Sequence, residues 1–272
     1  MLIQPIQSSL MQMQSAFEHF NELRNTLKMT TGSANLDYLI DSIQQGQFYL
    51  FYGKNKAILQ GLVHGFLVNC VLPIKEKHGF ESMAVYMNNT DYYQQDKSNI
   101  LSPEKIGVAA KCAGIEPKIV FKNIYFGIAY NEQHQLAISK QVSELIESKK
   151  EDIRLLVVNN ITKFFKESKN KNHAAIVLKE VLGILCKVCS RNKVALVCTG
   201  DANLTSRGII PRPIGGTFLK HTLNVIVHLR EASLFHPLAF KATLIKHQYV
   251  KSPRSVLVNT TKMGHMLLFD RC

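Results

Sequence analysis

Residues 47–70 read QFYLFYGKNKAILQGLVHGFLVNC, and this stretch decides the fold class. Its opening run, 47–52, is apolar and aromatic with no breaker, which is the pattern of a buried strand. Gly53 closes that run, and from about Ala57 the residues continue as an apolar helix. Gln60, His64 and Asn69 interrupt the apolar stretch, so it falls short of the roughly 18 to 20 apolar residues that a bilayer crossing needs. A buried helix is expected, and no membrane span. Strand, glycine and helix in that order make a first β-α unit.

The same alternation continues outward. Strands are expected at 83–88, 123–128, 153–159 and 194–199, with helices near 103–114, 131–149 and 173–191. Alternating strands and helices predict an α/β fold with a mostly parallel central sheet covered by helices on both faces. After Pro213 the runs at 223–229, 240–247 and 255–259 are joined by short polar turns, which predicts an antiparallel C-terminal extension. Upstream, Leu10, Met13, Phe17, Phe20, Leu23 and Leu27 keep helical spacing before a turn at Thr30-Thr31-Gly32-Ser33. An N-terminal helical arm over 1–28 leading into one core over 29–272 is the expected organisation, since no linker or repeat divides the chain.

The 272 residues carry 33 Lys+Arg against 20 Asp+Glu, a formal charge of +13. With 46% hydrophobic and 19% charged residues, a disordered or collagen-like chain is excluded. The positive excess suits a polyanionic partner or simple solubility, and its location has to decide between them. MLIQPIQSSLMQMQ has neither the basic nor the apolar segment of a secretory signal, so a cytoplasmic, nucleoid-associated protein is expected. Cys70, Cys186, Cys189 and Cys198 lie among apolar neighbours, as reduced core thiols do. Cys186 and Cys189 have a metal-like spacing with no second pair to complete a ligand set, so no metal is expected.

Four segments in order carry a resemblance: MTTGSANLDYLI (29–40), KNIYFGIAYNEQHQL (122–136), LLVVNNITKFF (155–165) and RPIGGTFLKHTLNVIVHLR (212–230). Together they resemble the RecA-fold strand-exchange recombinases, most closely the archaeal RadA branch and its paralogues. The resemblance implies a RecA-like core with a P-loop, whose backbone amides and lysine hold phosphates while a hydroxyl holds magnesium. The matching positions here are Gly53-Lys54-Asn55-Lys56-Ala57-Ile58-Leu59-Gln60. Ile58 stands for the second glycine, Leu59 for the lysine and Gln60 for the hydroxyl residue. A β-branched side chain blocks close backbone approach, and leucine neutralises no charge. The family's magnesium-shell aspartate is matched by Asn159, its water-activating acid by Thr90, and its nucleotide-sensing glutamine by Asp201. Thr90 has neither the charge nor the basicity of a general base. These departures together imply a relative that does not hydrolyse ATP and needs no cofactor.

The resemblance also places two DNA-binding loops. The first corresponds to 162–171, where Lys163, Lys166, Lys169 and Lys171 flank Phe164 and Phe165, a composition that suits phosphate neutralisation with base stacking. The second corresponds to 202–213 and carries Arg207 and Arg212 beside Gly208 and Gly215-Gly216. Lys246, His247, Lys251 and Arg254 form another basic cluster, equally readable as a charged edge strand. In the arm, Met13-Gln14-Ser15-Ala16 matches the Phe-x-x-Ala segment by which such recombinases polymerise, with Met13 as a flexible apolar anchor and Ala16 retained. The implied partners are DNA, with single strands the expected form, and a RadA-type recombinase that this chain assists in recombination and repair. Two other readings stay open: an ATPase with an unconventional pocket using Asp91 or Asp96, and a protein-interaction scaffold without a nucleic-acid role.

Overall fold

A computed structural model describes residues 15, 25–90, 102–203, 210–232, 239–263 and 266–269, with backbone alone at 76–77, 261–263 and 266–269. In chain order the strands are β1 (Lys28–Met29), β2 (Ile43–Gln44), β3 (Phe48–Gly53), β4 (Met83–Asn89), β5 (Ile124–Ala129), β6 (Ile153–Asn159), β7 (Ala195–Asn203), β8 (Arg212–Pro213), β9 (Val225–Glu231), β10 (Ala239–Lys246), β11 (Arg254–Met263) and β12 (Met266–Phe269). β1 and β2 pair with each other. The others form one sheet in the order β12-β11-β10-β9-β3-β7-β6-β4-β5, with β8 attached to β7.

β3 lies in the middle of this sheet, parallel to β7 on one side and β9 on the other. Its alternate residues feed two cores. Tyr49 and Phe51 pack with Phe66, Tyr86 and Val157 on the face covered by the Lys56–Val71 helix. Leu50 and Tyr52 pack with Val85, Leu156 and Leu182 on the face covered by the Lys171–Arg191 helix. A strand covered on both faces has no polar positions to offer, which is why 48–52 reads as an unbroken apolar run.

The expected antiparallel extension needs one correction. β9 is parallel to β3, with Leu50 opposite Ile226, so only β10, β11 and β12 run antiparallel. The connection from β7 passes through β8 and the Gly216–Thr222 helix and re-enters beside the start of β3. There Asn224 donates its amide N–H to Phe48 O at 2.8 Å and accepts from Phe48 N through Oδ1 at 2.9 Å. This reciprocal clamp aligns the two strand starts, and a short apolar run with polar flanks carries no sign of pairing direction. The entry turn is fixed by one carboxylate: Asp37 accepts from Thr31 N at 2.7 Å and from Thr30 Oγ1 at 2.5 Å. Met13 and Ala16 lie outside the described residues, as does most of the arm.

His64, on the buried side of the Lys56–Val71 helix, is 4% exposed. Burial, with Lys105 nearby adding to it, holds the imidazole down at about 4. It is therefore neutral in the fold, while the unfolded chain takes up a proton near 6.5. Stability should fall as pH drops from about 6.5 to about 4, by about 3 kcal/mol from this group. Urea unfolding at pH 7 and pH 4 should show that component in the wild type and its loss in His64→Leu.

Candidate functional site

The carboxyl end of β3 leads straight into a helix. Lys54 and Asn55 are the only residues between Gly53 and the Lys56–Val71 helix, so Ile58, Leu59 and Gln60 sit in its first turns and not in a loop. Asn55 caps it: Oδ1 accepts from Ala57 N at 2.9 Å and from Ile58 N at 3.2 Å. These are the amides that a helix N-terminus otherwise offers to an anion. Asn55 Nδ2 in turn donates to Glu231 Oε1 at 2.7 Å, which fixes the cap and sets a carboxylate beside it. Asn55 was not among the expected site residues, although an asparagine just before a helical run is the ordinary N-cap signal. Gly53 has a packing reason as well. A Cβ there would stand 2.4 Å from Leu229 O, so β9 and not a ligand claims the space.

Behind this turn lies a connected set of amides and hydroxyls. Asn159 donates through Nδ2 to Asn88 Oδ1 at 2.9 Å and accepts at Oδ1 from Thr199 Oγ1 at 2.7 Å. Asn89 Nδ2 donates to Asn159 O at 2.9 Å, and Asn160 N donates to Thr199 Oγ1 at 2.8 Å. Thr90 is buried, with its amide donating to Ala129 O at 3.0 Å. Asp201, inside the longer β7, accepts from Lys166 Nζ at 2.6 Å. The structure thus brings together Leu59, Gln60, Asn159 and Asp201 around one void, of about 20 Å³. That is room for about one water molecule. Gln60 Nε2 and Asn160 Oδ1 on its wall have no hydrogen-bond partner among the described residues. No cluster of three or more His, Cys, Asp or Glu side chains that could hold a metal occurs among the described residues.

This topology, with the candidate site where β3, β6 and β7 end, coincides with a sequence match. The Rad51 family model matches residues 22–234, more than half of the chain. The chain belongs to the Rad51 family. It is 30% identical over 223 residues to the DNA repair and recombination protein RadA of Ignicoccus hospitalis, a match covering 78% of this chain and 65% of the relative. It is 29% identical over 226 residues to the protein of that name from Aeropyrum pernix, covering 80% and 67%. The aligned region therefore spans about two thirds of these relatives' lengths.

The expected DNA-contact residues of this Rad51-family chain are placed differently from one another. The segment after β6 forms a short helix, Lys163–Glu167. Lys163 is 6% exposed and donates to Glu167 Oε1 at 2.8 Å, and Phe164 is buried in the core. Neither side chain is a surface group, which corrects the expectation of a phosphate contact and a stacking platform there. Lys166 is paired with Asp201. Lys171 donates to the carbonyls of Phe165 at 2.9 Å and Lys166 at 2.7 Å, closing the carboxyl end of that helix, and lies over the Phe165 ring. Lys169 is exposed, and Arg212 is exposed in β8. Arg207 lies outside the described residues. In the C-terminal cluster, Lys246 donates to Lys220 O and Leu223 O at 2.6 and 2.7 Å, and Arg254 stacks on Tyr38. Burial pushes the Cys186 thiol up to about 12 and raises Cys189 and Cys198 as well, so these are unreactive core thiols.

Thr199 ties this site together. Thr199→Val keeps the volume but leaves Asn159 Oδ1 and Asn160 N unpaired, and should cost about 2 to 4 kcal/mol. Urea unfolding should show a lower midpoint with an unchanged slope.

Proposed function

We propose that this Rad51-family chain binds DNA, single strands above all, without hydrolysing ATP, and assists an active RadA-type recombinase in recombination and repair in the cytoplasm, at the nucleoid. The observation that carries this reading is the capped helix. Asn55 already takes the amides that a triphosphate would need, and the void beside Leu59 and Gln60 is about 20 Å³. Phosphoryl transfer depends on a cation and a metal placed on the phosphates and on a group that orients the attacking water. Leu59 supplies no cation, Asn159 no anionic oxygen for a metal and Thr90 no basic group to take a proton from water. The similar proteins from Ignicoccus hospitalis and Aeropyrum pernix are DNA repair and recombination proteins, which supports the setting. Met13 and Ala16 are the residues proposed to dock on the recombinase.

Two measurements test the reading. ATP turnover with saturating single-stranded DNA should not exceed the blank, and magnesium should add nothing to any thermal shift that nucleotide produces. A magnesium-dependent rise in midpoint would sink the proposal. For DNA, replacing Lys166, Lys169 and Lys171 together by glutamine keeps hydrogen-bonding capacity but removes charge. The slope of log K against log salt for single strands should then flatten by about two units. An unchanged slope would favour the second reading, a protein-interaction scaffold. That reading has its own support, since Lys163, Lys166 and Lys171 all have partners within the fold.

A further inference from the structure

Apart from the void beside Leu59 and Gln60, a cleft of about 620 Å³ opens over the ends of β9, β10 and β11. Its floor is one cross-strand row, His228 opposite Thr243 and Thr243 opposite Ser255, with Tyr52 packed beside His228 in the core behind it. The Tyr52 and His228 rings are 5.1 Å apart, and the Thr243 and Ser255 hydroxyls are hydrogen-bonded at 2.9 Å. His228 and Thr243 are buried, so this floor is built into the sheet and is not a surface dent.

The rim is cationic. Arg230 and Lys241 are direct partners in the antiparallel register of β9 and β10, and Lys54 reaches the same cleft from the end of β3. Like charges directly opposite each other on a sheet are destabilising. None of the three is ion-paired among the described residues. The single carboxylate on the wall, Glu231, is engaged by Asn55 Nδ2. The fold thus keeps an uncompensated cationic pair above hydroxyl groups and the His228 ring, in a space of the size that small ligands fill. A doubly charged phosphate monoester answers each of those groups: its oxygens accept from the cations and hydroxyls, and its organic body lies against the His228 ring.

We propose that this cleft binds a small phosphorylated ligand of mononucleotide size through Lys54, Arg230 and Lys241, without magnesium. The proposal goes beyond the DNA-binding reading and does not use the void beside Leu59 and Gln60. Calorimetric titration of the full chain in low salt without magnesium, with inorganic phosphate, adenosine monophosphate and an oligothymidylate as probes, tests it. The expected result is binding of the monophosphate, tighter than that of phosphate. Lys241→Glu should weaken it by roughly tenfold to a hundredfold, the worth of one charge-assisted contact. The same variant should raise the melting midpoint, because the introduced carboxylate would pair with Arg230, and a folding defect cannot produce that rise. Arg230→Gln should lose affinity without that rise. Unchanged affinity in both variants, or no binding of the monophosphate at millimolar concentration, overturns the proposal. Binding of the oligothymidylate alone also overturns it and assigns the cleft to a polynucleotide backbone. ATP turnover and the salt slope of the Lys166, Lys169 and Lys171 variant do not involve this cleft, so the two readings fail separately.

Discussion

Asn55 Oδ1, holding Ala57 N and Ile58 N, fixes where the central helix begins, and the geometry of the sheet's carboxyl edge follows from it. A phosphate loop keeps its amides unpaired and its chain wide, which costs free energy until an anion arrives. Here the amides are satisfied from within, by a neutral side chain that Glu231 holds in place. With the helix starting at Lys56, Leu59 and Gln60 become buried helix positions facing the ends of β6 and β7.

The polar side chains at those strand ends obey the same economy. Asn159, Asn88 and Thr199 satisfy one another with neutral donors and acceptors. Buried neutral amides avoid the desolvation that buried carboxylates suffer without a metal. Asp201, the one carboxylate on the void, has its counter-charge in Lys166. The exposed share of that pair makes its stabilising contribution small, and its main effect is to place two charges that the sequence leaves unassigned.

Charge on this chain is therefore not a uniform coat. Around the Lys163–Glu167 helix the lysines are drawn inward, to Glu167, Asp201 and backbone carbonyls. Beside β9 and β10 the cations Arg230 and Lys241 are left facing one another. Uncompensated cations raise the local concentration of anions, while satisfied ones do so only weakly. The net +13 is thus a poor guide to any one surface, and the distribution carries the information.

Much of the architecture was legible in the residues themselves. The run 48–52 announced a buried strand, because it is short, aromatic-rich and closed by a glycine. The strand and helix alternation gave the α/β class. Pairing direction was not legible for β9, because period-two patterning is the same in parallel and antiparallel strands. Nor could the chain order tell that Lys163 and Phe164 turn inward, since one short helix decides which side of a basic segment meets solvent. The cation pair of Arg230 and Lys241 stands eleven residues apart in sequence and opposite in space. Local composition fixes which segments are buried; only the tertiary register decides which distant charges share a cleft.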